Sequence, residues 1–206
     1  VAPPPPSPLA GQTLVRSKSD FDHTAPRLVL SWHPAEQTTL YASYGQGFRS
    51  GVNQTPSILL FAPQYPPAKP DTLTNYEVGA KGSVLNGLFD YEAAVFYIDW
   101  EDVQQTSNLL IIPPPTNLVQ SATFNATSAS GAGFEFALTA RPVKGLTLGT
   151  TYSWNDLEVD QDVLAFTGAG VPFVYYAKGT RLSYSAKYTL GAFADYGLPL
   201  GSTGYE

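Results

Sequence analysis

The sequence predicts an all-β fold, and it favours an antiparallel up-and-down β-barrel that crosses a membrane. Apolar and polar residues alternate with period two along most of the chain, and no segment keeps a helical period. The connections between the alternating segments are short and long in turn, which is typical of outer-membrane barrels. Charged residues make up only 14% of the 206 residues, against about 25% in a soluble domain.

Residues 1–25 begin with a run of prolines and are predicted to form a loop, whereas residues 26–206 are predicted to form about eight strands and their connections. The clearest alternation lies in the segments 27–33, 39–45, 75–81, 89–97, 134–141, 146–155 and 181–196. In the fourth of these, Ala93, Val95 and Tyr97 form the apolar row. Because strand residues point alternately to opposite faces, every segment has one apolar and one polar face.

Two short turns define how neighbouring strands pair. Asn86-Gly87 is a strong hairpin signal because both residue types tolerate positive φ. A two-residue loop there places Lys81 opposite Glu92 on the polar face. The parity of the polar residues also predicts a three-residue turn that ends at Gly145, with that glycine in the left-handed conformation.

Three long connections, at 49–71, 106–118 and 159–180, are predicted to lie on the extracellular side. The apolar faces carry small aliphatic residues in mid-strand and aromatic residues near the strand ends, as expected for a lipid-facing band between aromatic girdles. A soluble β-sandwich shows the same alternation. A soluble sandwich acting as a binding module, and a passive porin or small outer-membrane barrel, are therefore alternative interpretations.

The composition argues against several function classes. A net charge of −6 disfavours nucleic-acid binding, which needs clustered lysine and arginine, and the absence of cysteine excludes thiol catalysis and cysteine zinc sites. His23 and His33 are isolated, and no spacing of histidines and carboxylates resembles a metal site. No catalytic motif occurs either, so the sequence predicts neither an enzyme nor a cofactor.

A binding role is the more productive hypothesis. Face parity assigns seven polar or aromatic residues to the lumen side near the long-loop end, where they could stack on or hydrogen-bond to a small polar ligand: Arg49, Trp100, Asp102, Gln104, Asn125, Asn155 and Arg181. The competing interpretation is a generic wet wall or packing contacts between loops. Large pores expose many such side chains, which favours that interpretation for any single residue.

Four stretches resemble, in order and spacing, segments of one receptor family. They are TLYASYGQGFRSG (39–51), PDTLTNYEVGAKG (70–82), AAVFYIDWEDVQ (93–104) and NATSASGAGFEFALTARPVKGLTL (125–148). Over about residues 26–197 the chain thereby resembles the barrel domain of TonB-dependent outer-membrane receptors. Asp71 stands where that family more often has glutamate.

The resemblance implies a bacterial outer-membrane barrel of about 22 strands, of which this chain would be an internal slice without the N-terminal plug domain. Such a receptor is a monomer surrounded by outer-membrane lipid, and the TonB complex energises it through the plug. The solute taken up would be a ferric siderophore, cobalamin or an oligosaccharide. The plug would face a charged inner wall formed by Glu77, Lys81, Glu92, Glu135 and Lys187.

Overall fold

The computed structural model describes residues 18–63, 65–112, 118–166, 171–182 and 185–198 of the chain. The elements in chain order are β1 (Arg27–Ala35), β2 (Thr38–Arg49), α1 (Pro56–Phe61), β3 (Asp71–Val84), β4 (Phe89–Glu101), β5 (Gln104–Ile112), β6 (Leu118–Asn125), β7 (Ala129–Val143), β8 (Leu146–Asn155), β9 (Glu158–Val159), β10 (Val163–Phe166), β11 (Pro172–Tyr176) and β12 (Tyr188–Tyr196). The one helix in these ranges, α1, is six residues long. The predicted all-β class is confirmed.

One antiparallel sheet contains most of the strands, in the order β1-β2-β3-β4-β7-β8-β12, with β9 beside β7. Strands that follow each other along the chain are neighbours in this sheet, except where a separate hairpin intervenes. The hairpins are β5–β6, between β4 and β7, and β10–β11, between β8 and β12. The arrangement is up-and-down as predicted, and the sheet is open, because its edge strands β1 and β12 do not pair with each other.

The long connections contain more regular structure than the sequence indicated. The 49–71 connection includes α1, the 106–118 connection lies within the β5–β6 hairpin, and the 159–180 connection includes β10 and β11. Of the predicted loop 1–25, residues 18–25 have no regular structure, as expected, and the remainder lies outside the described residues.

The predicted strand 181–196 is wrong in its first part, because β12 begins only at Tyr188. The described residues before Tyr188 cross the end of β8 instead of extending the sheet. There the Leu182 backbone N–H donates to the Leu157 carbonyl at 3.4 Å, and Arg181 forms an isolated bridge with Glu158. These bonds tie the segment to Leu157 and to β9, which follow β8, rather than to β8 itself.

The hairpin at Asn86-Gly87 has the predicted register. Leu85, Asn86 and Gly87 all have positive φ, of 54°, 56° and 85°, and the last register pair is Val84 with Phe89, so four residues rather than the predicted two connect the strands. Lys81 is paired with Glu92 across β3 and β4, and the pairing continues without a shift along both strands. The charged groups of Lys81 and Glu92 are nevertheless not among the ion pairs formed in the described part of the chain.

The turn between β7 and β8 differs in one detail from the prediction. Gly145 takes the left-handed conformation, with a φ of 86°. Val143 pairs directly with Leu146, so the loop has two residues rather than three. A bulge just before Val143 restores the expected parity, and Glu135 lies opposite Ser153 as the polar pattern requires.

The outer face of the main sheet is apolar and uncovered. Two rows of side chains cross it at successive heights: Tyr44, Tyr76 and Tyr97, and then Ala42, Val78 and Val95. Leu30 is 71% exposed near one edge and Leu190 is 76% exposed at the other. A soluble sandwich would bury such a face under a second sheet, and no second sheet covers it among the described strands.

On the opposite, polar face, here called the inner face, aromatic rings cover glycines of the neighbouring strand. Three such pairs are direct partners in the register: Tyr41 with Gly79, Phe96 with Gly133, and Phe193 with Gly149. A Cβ atom added to any of these glycines would collide with the opposing ring. Close approach, rather than backbone conformation, therefore requires glycine at these positions.

The ring contact at Gly133 predicts a position-specific effect of a single methyl group. We expect Gly133→Ala to destabilise the folded barrel by about 1–3 kcal/mol, because the Phe96 ring must move from its position over the backbone. The matched control is Gly47→Ala, also on the inner face, where an added Cβ meets no atom within 4 Å. Urea unfolding of the protein in lipid vesicles measures both, and equal stabilities of the two variants would contradict this account.

The exposed apolar face predicts contact with lipid hydrocarbon. A fluorescent probe attached to cysteine at Val95, which is 55% exposed on the outer face, should be quenched by lipids that carry a quencher in their acyl chains. The same probe at Glu92, which lies on the same strand with its side chain on the inner face, should keep its fluorescence. Equal quenching at the two positions would show that the faces are wrongly assigned.

Candidate functional site

The ends of β2 and β3 that flank the long connection 49–71 are joined by an ion pair whose carboxylate is buried. Arg49 ends β2, Asp71 begins β3, and the two residues are direct partners in the register. The Arg49 Nε donates to the two Asp71 carboxylate oxygens at 3.0 and 2.9 Å, and Nη2 donates to Oδ2. The Asp71 side chain is 1% exposed, whereas that of Arg49 is half exposed. A forked, charge-assisted pair of this kind holds both side chains in one geometry.

The Asp71 carboxylate stays ionised although it is buried. Asp71 is the first residue of β3, at the end of the strand that joins the long connection 49–71. Burial alone would raise its pKa. The hydrogen bonds from Arg49 and from the Gln104 backbone N–H, at 3.0 Å, outweigh that effect and hold the pKa of Asp71 below its usual value.

Gln104 and Asn125 join the first two long connections to each other. The Gln104 side-chain amide donates to the carbonyls of Ser50 and Lys69 at 2.9 and 2.8 Å. Asn125, its register partner on β6, donates to the carbonyls of Lys69 and Asp102 at 3.0 and 2.7 Å and accepts from the Lys69 N–H at 2.7 Å. The root of the β5–β6 hairpin is thereby fixed to the ends of β2 and β3.

A second polar cluster fixes the segment that leads into β12. Arg181 donates to the Asn155 carbonyl at 3.0 Å, to Asn155 Oδ1 at 2.8 Å and to the Ser185 carbonyl at 3.3 Å. Asp156 accepts from Arg181 at 3.3 Å and pairs with Lys187 at 3.0 Å. Asn155 and Arg181, two of the predicted lumen residues, are therefore direct neighbours at the end of β8.

The three long connections pack on one another through a hydrophobic core of their own. Its buried members come from all three connections: Ile58, Ala62 and Tyr65, then Ala122 and Phe124, then Val159 and Val163. The rings of Tyr65 and Phe124 lie 5.7 Å apart, and that of Tyr175 lies 6.3 Å from Phe124. We call the described parts of residues 50–70, 102–128 and 156–187 the loop unit, because this core joins them.

A cleft of about 560 Å³ lies between the strand ends and the loop unit. Arg49 and Trp100 line it from β2 and β4, with the guanidinium carbon of Arg49 4.8 Å from the centroid of the Trp100 ring. Gln104 and Gln105 line it from β5, and Ser185 lines it from the third connection. Its volume lies within the range of about 300–1,000 Å³ that is usual for ligand sites.

The structure brings some of the seven predicted lumen residues together and leaves others apart. Arg49, Trp100 and Gln104 line the cleft, and Asn155 and Arg181 lie behind it through their bonds to Ser185. The remaining two, Asp102 and Asn125, do not line it. Asp102 follows the end of β4 with a φ of 54°, so the parity of β4 no longer applies to it, and Asn125 is bonded to the loop backbone.

Sequence reasoning missed several residues of this region. Asp71 was noted only as a departure from a family pattern, although it is the buried partner of Arg49. Positions 49 and 71 stand at the two ends of the connection between consecutive antiparallel strands. That placement could have indicated the pair. Gln105, for which no alternation was available, lines the cleft, and so does Leu182, which the sequence places in the predicted strand 181–196 instead.

The structure places three of the five residues of the predicted inner wall around one cavity. Glu77, Glu92 and Glu135 line a cavity of about 350 Å³ on the inner face, and the Tyr41 hydroxyl donates to the Glu77 carboxylate at 2.8 Å. Lys81 lies beside the first two glutamates in an adjacent hollow. Lys187 is placed elsewhere, since it precedes β12 at the outer end and pairs with Asp156.

The described residues lack two other kinds of feature. Within them, no three histidine or acidic side chains come together in a way that could hold a metal ion. The described part of the chain also has no helix long and apolar enough to cross a membrane.

Comparison with protein families gives a match over residues 6–205, almost the whole chain, to the family described as TonB dependent receptor-like, beta-barrel. The chain belongs to this family. The predicted resemblance is thus confirmed, and with it the antiparallel transmembrane barrel as fold class and the bacterial outer membrane as location. A comparison with curated proteins gives no match.

Solved structures of similar fold include two outer-membrane receptors and a further siderophore receptor. The alcaligin outer-membrane receptor of Bordetella pertussis has a TM-score of 0.50 and 19% identity, and the match covers 86% of this chain and 27% of that one. The ferripyoverdine receptor of Pseudomonas aeruginosa, bound to ferripyoverdine, has a TM-score of 0.54 and 19% identity, and the match covers 86% of this chain and 21% of that one. The siderophore receptor of Acinetobacter baumannii has a TM-score of 0.50 and 13% identity, and the match covers 85% of this chain and 26% of that one. The chain therefore spans about a quarter of the length of these receptors.

The buried carboxylate of Asp71 predicts a large effect of removing its partner. We expect Arg49→Gln to destabilise the packing of the loop unit on the strand ends by about 3 kcal/mol, because it leaves a buried charge unpaired. Arg141→Gln is the matched control, since it breaks an Arg–Asp pair in which both side chains are nearly half exposed, and its effect should be much smaller. The protection of the Gln104 amide against hydrogen exchange reports the stability of the loop unit in both variants.

The lowered pKa of Asp71 predicts acid sensitivity of the same contact. Because the folded pKa lies below the unfolded value of about 3.9, the ion pair contributes fully at neutral pH, and its contribution is lost as the pH falls through the folded pKa. The protection factor of the Gln104 amide should therefore decline only in acid. In Asp71→Asn it should be lower at neutral pH and depend less on pH, and an unchanged acid profile in that variant would contradict the assignment.

Proposed function

We propose that this chain forms part of the barrel wall and outer vestibule of a TonB-dependent transporter that takes up a scarce solute across the outer membrane. The observation that carries the proposal is the cleft at the outer end of the inner face, between strand ends and a packed loop unit. An outer-facing cleft with polar walls suits capture of a dilute solute before transport. The predicted lumen residues Arg49, Trp100 and Gln104 would contact that solute.

We propose a ferric siderophore as the solute, which three solved receptors of similar fold support. Cobalamin and an oligosaccharide are the alternatives. They are described as the alcaligin receptor, the ferripyoverdine receptor, bound to ferripyoverdine, and a siderophore receptor. The chain shares the fold with them at 19% identity or less, so the assignment of a solute class to this chain rests on our proposal.

We further propose that the inner-wall carboxylates contact a plug domain through which the TonB complex supplies energy. Glu92 and Glu135 are exposed on the inner face, and Glu77 is half buried beside them with Tyr41 as its hydrogen-bond donor. Three carboxylates with one nearby lysine leave an excess of negative charge on this wall. A plug surface that carries arginine or lysine would complement it.

The decisive experiment measures iron uptake by cells that make the complete receptor. Uptake of a radiolabelled ferric siderophore should saturate at low concentration and should stop when the gene for TonB is deleted. Uptake that is unsaturated and unaffected by that deletion would instead support a passive porin. In either case the measurement uses the whole protein in its own membrane.

The wall proposal predicts a separate phenotype. Neutralising two carboxylates in Glu77→Gln/Glu135→Gln should loosen the plug and increase the sensitivity of cells to a bulky hydrophilic antibiotic. Glu36→Gln, at the exposed turn between β1 and β2, removes a carboxylate away from the wall and serves as the control. If the double variant leaves both antibiotic sensitivity and transport unchanged, the wall does not hold a plug.

A further inference from the structure

The loop between β3 and β4 is strained and exposed. Leu85, Asn86 and Gly87 all lie in the left-handed region of backbone conformation. Asparagine and glycine tolerate this region, whereas it is costly for leucine, whose Cβ then approaches the backbone. Leu85 is also 69% exposed, so little packing holds it. The bond that closes the loop, from the Leu88 N–H to the Leu85 carbonyl, is long at 3.3 Å. Such a loop can open without disturbing the ladder beside it.

The side chain of Asn86 and the backbone nitrogen of Gly87 are both accessible in this loop. Asn86 is exposed, and its amide has no hydrogen-bond partner among the described residues. The Gly87 N–H also donates to no described group. A Cβ added at Gly87 would meet no atom within 4 Å, so the space around this nitrogen is open. The Arg141 side chain lies 3.5 Å from the Gly87 carbonyl and leaves the N–H of the glycine uncovered.

Asn86 is the only asparagine in the sequence that precedes a glycine. Every other asparagine precedes a residue whose side chain hinders approach of the following backbone nitrogen. Asn108 is the closest match, because it is exposed too. It precedes Leu109, however, and it lies within β5, where it pairs with Ser121. Asn86 therefore combines an accessible amide with an unhindered neighbouring nitrogen in a loop that is not held by a partner strand.

We propose that Asn86-Gly87 is a site of spontaneous deamidation in the folded protein. The Gly87 nitrogen attacks the side-chain carbonyl carbon of Asn86, and the new C–N bond closes a five-membered succinimide ring. The bond from that carbon to the side-chain nitrogen breaks, and ammonia leaves with the proton that the Gly87 nitrogen gives up. Water then adds to one of the two ring carbonyls, reopens the ring and returns a proton to the nitrogen. Water is the sole co-reactant, and nothing is oxidised or reduced.

The two products affect the hairpin differently. Aspartate forms if water opens the ring on the side-chain side, and aspartate tolerates positive φ, so the loop is kept. Isoaspartate forms if the ring opens on the other side. It adds one carbon to the backbone between positions 86 and 87, beside the last register pair of Val84 and Phe89. Either product adds one negative charge to this end of the sheet. The reaction does not depend on the proposed function or on the solute.

Peptide mass spectrometry of the complete receptor, folded in lipid vesicles and stored at mildly alkaline pH, tests the proposal. Samples taken over time are digested in acid, where the ring forms slowly. The peptide that contains Asn86 should gain the mass difference between an amide and an acid, and it should separate into an aspartate and an isoaspartate form. The peptide that contains Asn108, from the same sample, is the matched control and should keep its amide.

Gly87→Ala tests the attack by the glycine nitrogen. The added methyl group hinders that nitrogen, and we expect deamidation at Asn86 to slow by about tenfold. Alanine is strained at the φ of 85° found here, so the control is Gly179→Ala, which carries a similar strain at a φ of 78° but does not follow an asparagine. That variant should react at Asn86 as the wild type does. Urea unfolding shows whether both variants are folded.

Three results would overturn the proposal. The folded receptor could keep the Asn86 amide while the chain unfolded in urea loses it, which would show that the loop protects the site. Asn108 could lose its amide as fast as Asn86, which would remove the role of the loop and its glycine. Gly87→Ala could react as fast as the wild type, which would exclude the Gly87 nitrogen as the attacking group.

Discussion

The continuous antiparallel ladder through β2, β3 and β4 is the constraint on which the other features depend. It runs without a shift from the Arg49 and Asp71 pair at the outer end to the Asn86-Gly87 turn at the other. Because side chains alternate with period two, an unbroken ladder keeps the two residues of each opposed pair on the same face of the sheet. A slip of one residue would move Glu77 into the tyrosine rows of the outer face and would separate Arg49 from Asp71.

A sheet with lipid on one face and a polar lumen on the other has no ordinary hydrophobic core. In this chain the clustered buried apolar residues lie instead in the connections, where Ile58, Phe124 and Val163 come from three different loops. Burial of apolar surface outside the membrane therefore stabilises the loop unit, much as a core stabilises a small domain. The inner face gains its close packing differently, from aromatic rings such as Phe96 that lie on glycines of the next strand.

The cleft exists because these two parts meet. Arg49 and Asp71 close the end of the ladder, and the Gln104 backbone N–H, which begins the β5–β6 hairpin, donates to the same carboxylate. One buried charge is thus shared between the sheet and the loop unit. Its burial makes the contact sensitive to loss of either partner, and it also leaves the exposed side of the guanidinium facing the cleft.

What the sequence by itself determined is local: which segments are strands, which face of each is apolar, and where Asn86-Gly87 and Gly145 turn the chain. These properties follow from period two and from backbone conformation, and neighbouring residues encode both. Membership of the receptor family could also be recognised from four motifs.

Only the tertiary structure decided where β12 begins, which lumen residues line the cleft and which do not, and that Asp71 is buried beneath Arg49. In the loops, positions depend on contacts between residues far apart in the chain, such as Gln104 with Ser50 and Arg181 with Asn155. No periodic pattern records such contacts, because the side chains that make them are placed by packing rather than by the alternation of a strand.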